Sequence, residues 1–208
     1  MAAPEGSPKP ALDPQAPLLA AQRPIHRLPA LGDTEGEGTR GSTDGTGLRI
    51  AIACSRFNGQ VTGLLLEAAL AELDRCHVTE AQRTVVRVPG AFELPLAAMA
   101  LARSGDYDAI VCVGAVIRGE TSHYDLVAGQ CAAGIQRVQL DTGLPVAFGL
   151  LTTENLQQAL DRAGGDRGNK GTEAAATAIE MANVLRYLAS IPSSVPLGAR
   201  GETTGRAT

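Results

Sequence analysis

The amino-acid sequence predicts an α/β fold, a three-layer sandwich with a four-stranded parallel sheet and helices on both faces. Three observations carry this reading. Apolar runs of strand length recur along the chain, separated by segments of helical periodicity. The runs are nearly continuous in apolar character rather than alternating, as expected of strands buried on both faces. Strand and helix alternate, and βα units in series give a parallel sheet with right-handed crossovers.

The elements follow in order. Leu48 to Cys54 is the first strand. Val61 to Cys76 is a helix, with Val61, Leu65, Ala69 and Leu73 at i+4 spacing on its apolar face. Thr84 to Val88 is the second strand. Pro95 stands in the first turn of the next helix, where its missing N–H costs nothing, and Gly105 ends that helix as a C′ residue. Ala109 to Val113 is the third strand. Ser122 to Leu140 is a helix stopped at Gly143, and Pro145 to Leu151 is the fourth strand. Two closing helices are expected over Thr153 to Ala163 and Thr172 to Leu188. There is no internal repeat.

Composition bounds the rest. Hydrophobic residues are 44% and charged residues 19% of 208 residues, which supplies one real core. Residues 1–47 are rich in Pro and Gly without apolar periodicity, and 191–208 repeat that character. Neither stretch can bury enough surface to offset its ordering entropy, so both read as disordered tails around a domain at 48–190. The net charge of −4 argues against a nucleic-acid partner, as do an aromatic content of 3% and the absence of Trp. No apolar run is long enough to span a membrane. The leader is too acidic for a transit peptide, with Glu5, Asp13, Asp33, Glu35, Glu37 and Asp44. Cys54, Cys76, Cys112 and Cys131 form no C-x-x-C pair and no zinc spacing with the histidines. Cys54 and Cys112 read as small core residues, and a reducing, cytoplasmic setting fits best.

In a parallel sheet of this kind, ligands bind beyond the carboxyl ends of the strands. Those ends are the stretches Ser55–Asn58, Pro89–Glu93, Gly114–Ser122 and Gly149–Thr153. The strongest local signal is Gly114-Ala115-Val116-Ile117-Arg118-Gly119-Glu120-Thr121-Ser122-His123-Tyr124-Asp125. A buried strand ends there in a loop that opens a helix, and Ser122 with Asp125 has capping-box spacing. The helix start offers free N–H groups and a favourable dipole to a phosphate, and Gly119 allows close backbone approach. An ordinary capped βα turn is the competing reading. His123 stands beside this site and suits proton transfer near neutral pH; a surface histidine is the alternative. His26 and His77 read as bystanders.

Five further residues are ambiguous by pattern. Phe57 either stacks on a planar heterocycle or folds over the core, and Phe148 has the same ambiguity. In Pro89-Gly90-Ala91-Phe92-Glu93-Leu94-Pro95, Glu93 is either an acceptor for a polyol or amide or a first-turn carboxylate, and Phe92 is either site or core. Arg162 is either a phosphate-binding fork or a solvated helix-face residue.

Taken together, these segments resemble the 6,7-dimethyl-8-ribityllumazine synthase family. The likeness rests on Arg56-Phe57-Asn58, on the Pro89–Pro95 and Gly114–Tyr124 stretches, on Phe148-Gly149-Leu150-Leu151-Thr152-Thr153-Glu154-Asn155 and on Gly168-Asn169-Lys170-Gly171. It spans residues 48 to 188 and leaves out the tails.

The resemblance implies a flavodoxin-like sheet. It also implies the penultimate reaction of riboflavin biosynthesis. There, 5-amino-6-(D-ribitylamino)uracil condenses with 3,4-dihydroxy-2-butanone 4-phosphate to give the lumazine, phosphate and water, with no metal or organic cofactor. Carried over by motif, Phe57, Ala91, Phe92, Glu93, Ala115, Val116, Ile117 and Phe148 contact the ribitylaminouracil. Glu120, Thr121 and Arg162 meet the butanone phosphate, and His123 transfers protons. Phe148 and Arg162 match positions supplied by a neighbouring subunit. Asp166 departs from the basic character familiar in its stretch. The resemblance further implies a homopentamer, and riboflavin synthase is a candidate partner. The compact connector Ala163–Gly171 looks like that of shell-forming relatives, with Gly164, Gly165, Gly168 and Gly171 able to take the positive φ of a tight kink, so a sixty-subunit icosahedral shell is expected. Two competing readings are a flavin-binding protein that lost turnover and a purely structural shell subunit.

Overall fold

The computed structural model describes residues 41–191. The leader before residue 41, with His26, and the end of the chain after residue 191 lie outside the described residues. Within them the order is β1 (Ile50–Ser55), α1 (Gly59–Arg75), β2 (Arg83–Val88), α2 (Leu94–Ser104), β3 (Ala109–Ile117), α3 (His123–Thr142), β4 (Val146–Thr153), α4 (Leu156–Asp161), β5 (Ala163–Gly165), β6 (Gly168–Asn169) and α5 (Lys170–Ser190).

The main sheet is four-stranded, all parallel, in the order β2-β1-β3-β4. Its two faces are covered by different helices. Ile50, Ile52, Cys54, Val111 and Val113 pack toward α1 and α5. Ala51, Ala53, Ile110 and Cys112 pack toward α2 and α3. The chain therefore alternates sides along each strand, and the three-layer α/β sandwich is the expected one. The helix stops behave as glycine chemistry requires: Gly105 has φ 70° and Gly143 φ 67°, both left-handed.

Several boundaries differ from the sequence reading. β3 runs on to Ile117 because it pairs with β4 through Ile117 and Thr153, so Gly114 to Ile117 are strand rather than loop. β4 runs on to Thr153 rather than ending at Leu151. α4 is one short helix of six residues. The connector before α5 is a small antiparallel hairpin, β5–β6, which no apolar pattern signals. In it Gly164 (φ 122°) and Gly168 (φ 72°) take positive φ, but Gly165 and Gly171 do not. Gly171 serves close approach instead, since a Cβ there would overlap the Leu65 carbonyl.

The segment before β1 is fastened to the domain. Asn183 Nδ2 donates to the carbonyls of Ser42 at 2.7 Å and Asp44 at 2.9 Å. The Gly45 N–H donates to the Cys76 carbonyl at 2.6 Å, and Asp44 meets His77 at 3.2 Å. Residues 42–47, grouped with the leader by composition, thus pack on the end of α1 and on the body of α5. All four cysteines are buried and free. Among the described residues no helix is long and apolar enough to cross a membrane.

Candidate active site

β1 and β3 are central neighbours whose crossovers leave toward opposite faces, α1 to one and α3 to the other. A crevice must open beyond the carboxyl ends of two such strands. A hollow of about 820 Å³ lies there. The loop after β1 reaches it with Phe57 and Asn58, the turn after β2 with Ala91, Phe92 and Glu93, and β3 with Ala115, Val116 and Ile117. Thr121 and His123 close it from the start of α3.

Each wall has a local cause. The Arg56 and Phe57 N–H groups donate to the carbonyls of Val88 at 2.8 Å and Pro89 at 3.1 Å, which extends the β1–β2 pairing past the sheet. Asn58 is left-handed, φ 57°, and its Nδ2 donates to the Ala115 carbonyl at 2.9 Å. That bond ties the β1 loop to β3. Phe57 is 70% exposed and Phe92 58%, so neither ring is core. Glu93 accepts from the Gly90 N–H at 2.9 Å through Oε2, which fixes the carboxylate and leaves Oε1 for a ligand. Burial pushes the thiol of Cys131 up to about 12, with the nearby Glu93 carboxylate adding to it. Cys131 is therefore a neutral packing residue beneath the site.

The 119–122 loop differs from its expected form. Ser122 is the N-cap of α3, but its hydroxyl makes no capping bond, and Asp125 turns to Arg118 instead. The capping box is therefore absent. A Cβ on Gly119 would meet nothing within 4 Å, so packing does not demand glycine there. Among the described residues, the N–H groups of Gly119, Glu120, Thr121 and Ser122 find no acceptor, while that of His123 meets Thr121 Oγ1 at 3.4 Å. Four unpaired donors at the positive end of a twenty-residue helix suit an anion.

A family model for 6,7-dimethyl-8-ribityllumazine synthase matches residues 47–186. The chain belongs to that family. A 6,7-dimethyl-8-ribityllumazine synthase from Edwardsiella ictaluri (strain 93-146) is 57% identical over 141 residues, covering 67% of this chain and 90% of the relative. The chain is thus a transferase of riboflavin biosynthesis, and its reaction condenses the ribitylaminouracil with the butanone phosphate.

The expected site residues fall into two places. Phe57, Ala91, Phe92, Glu93, Ala115, Val116, Ile117, Thr121 and His123 line the one hollow. Glu120 stands on the exposed loop beside it without lining it. Phe148 and Arg162 line a separate hollow of about 410 Å³ at the free edge of β4, with Lys170 and Glu173. Arg162 caps α4, with Nη1 donating to the Gln158 carbonyl at 3.0 Å. Sequence reasoning overlooked Leu126, Val127 and Gln130, which line the main hollow. They lie three, four and seven residues past His123, the spacing of one helix face. The arrangement can orient a flat ring against Phe57 and hold an anion at the α3 start. His123, the first residue of α3, lines the same hollow, and an imidazole there is able to move protons.

Proposed function

We propose that the condensation takes place in the hollow beyond β1 and β3, and that each site is completed by a second copy of the chain. The observation that carries this reading is the separation of the two hollows. Among the described residues the main one is lined by His123, Glu93, Gly119 and Thr121 but by no guanidinium to meet a phosphate dianion. Arg162 and Phe148 sit at the far edge of the sheet with their own exposed surface, Phe148 being 47% exposed.

In this reading Phe57 stacks on the pyrimidinedione, with Phe148 of the neighbouring copy beside it. Ala91, Phe92 and Glu93 meet the ribityl chain, and Ala115, Val116 and Ile117 present backbone groups to the ring. The substrate amine attacks the ketone itself, so no protein nucleophile is required. His123 moves the protons. Glu120 and Thr121, through their N–H groups, and Arg162 from the neighbour stabilise the phosphate as it leaves.

Two different surfaces that meet head to tail generate a ring. Leu96, Leu126 and Leu140 are exposed on α2 and α3, and Leu156 and Met181 on α4 and α5. Apolar area on both flanks supports a homopentamer. The short hairpin β5–β6 supports joining of pentamers into an icosahedral shell. Free buried thiols fit a cytoplasmic enzyme, and riboflavin synthase is the protein partner the family suggests.

Arg162→Ala is the test. It should raise KM for the butanone phosphate about tenfold or more while sparing the ribitylaminouracil. Equal loss for both substrates refutes the phosphate role. A sedimentation mass near one subunit with full activity refutes the shared site.

A further inference from the structure

The loop with the unpaired donors is gripped from behind by a side chain that does not line the hollow. Arg118 follows β3, and its N–H donates to the Thr153 carbonyl at 2.8 Å. Its guanidinium carbon lies 4.0 Å from the centroid of the Tyr124 ring. Nη2 reaches Asp125 Oδ1 at 3.1 Å, and Nε pairs with Glu154 at 2.8 Å. One side chain thereby joins the end of β3, the first turn of α3 and the turn after β4. Ile117, Gly119, Thr121 and His123 line the hollow on either side of it in sequence, but Arg118 does not.

We propose that Arg118 is a positioning residue for the condensation: its hold on Tyr124, Asp125 and Glu154 sets the curve of the 119–122 loop so that the loop's N–H groups converge on the phosphate. This rests on the reading of that loop as the phosphate cradle. A planar fork is required for the task, because the same group stacks on a ring and pairs in two directions. Each ion pair is exposed and weak by itself. Their joint effect is geometric, and small displacements of positioned groups are costly in catalysis.

A competing account is purely electrostatic, and it predicts the opposite sign. Asp125 and Glu154 are negative charges near an anion site, so their removal should tighten phosphate binding by Coulomb repulsion relieved. Under positioning their removal loosens the loop and weakens it.

Inorganic phosphate is the probe, measured as a competitive inhibitor against the butanone phosphate. In the Asp125→Ala, Glu154→Ala double variant the expected result is phosphate inhibition weakened about tenfold, with KM for the ribitylaminouracil nearly unchanged. Unchanged or tighter inhibition overturns the proposal. Arg118→Lys keeps the charge and loses the fork. It should raise KM for the phosphorylated ketone selectively at an unchanged melting temperature. A parallel rise in both KM values with a lowered melting temperature would make Arg118 a structural residue only and overturn the proposal. The unsubstituted enzyme separates the two layers. If phosphate fails to compete there, the cradle reading falls and takes this proposal with it. If it competes there and equally in the variants, Arg118 alone falls.

Discussion

Asn58 bridges the two central strands, its Nδ2 donating to the Ala115 carbonyl at 2.9 Å across the mouth of the hollow. The same residue holds a left-handed backbone, φ 57°, at the start of α1. Its side chain is thereby diverted from capping the helix to tying β1 to β3. Asn58→Ala loses the bond and leaves at a left-handed position a residue without asparagine's tolerance of it, so about 2–3 kcal/mol of stability should go. Asn58→Gly relieves the strain but not the missing bond and should recover about half of that loss. KM for the ribitylaminouracil should rise in both, because Phe57 is the adjacent residue. Urea unfolding and steady-state kinetics check the two parts.

His123 is exposed at the first position of α3. Its replacement should therefore spare the fold. His123→Ala should slow turnover about 10²-fold, the usual scale of general acid–base catalysis, at an unchanged melting temperature. A rate equal to that of the unsubstituted enzyme removes the imidazole from the mechanism.

Gly171 opens α5 against α1, where an added Cβ would overlap the Leu65 carbonyl backbone. Backbone cannot yield as a side-chain tip does. Gly171→Ala should cost about 1–3 kcal/mol, the range of overpacked cores. Gly129→Ala, on α3 with open space at the Cβ position, should cost nothing and is the control.

Burial raises all four thiols, Cys112 most strongly and Cys131 up to about 12 from 9.0. The folded state thus favours the neutral thiol. Stability from these groups is fully present below pH 9.0 and is lost as pH rises toward about 12 through the folded-state values. Melting temperature should fall over that window, and less steeply in Cys131→Ala. At neutral pH the native thiols should resist alkylation and react on unfolding.

Much of this was legible in the sequence. The four apolar runs mark the strands, and Gly105 and Gly143 mark where two helices stop, because both signals are local. The ends of β3 and β4 were not legible, since the pairing of Ile117 with Thr153 joins strands far apart in sequence. Apart from Ala163, the β5–β6 hairpin is built from glycines and polar residues and leaves no apolar pattern. Ser122 and Asp125 have the spacing of a capping box, but the claim of Arg118 on Asp125 depends on Glu154 and Tyr124 lying on either side of it. At the site, the residues at strand ends were readable by position. Leu126, Val127 and Gln130 needed only the helical period counted from His123.

The shared site is the central claim, and co-assembly of two defective variants tests it most directly. His123→Ala and Arg162→Ala are co-expressed in equal amounts and the mixed particles assayed at low butanone phosphate. If each site takes His123 from one copy and Arg162 from the next, a random ring restores about one quarter of the sites to full composition. Activity should then rise to about a quarter of the unsubstituted enzyme's, well above either variant alone. If both residues serve the same subunit's site, every site stays defective. Activity no greater than the average of the two variants would contradict the account.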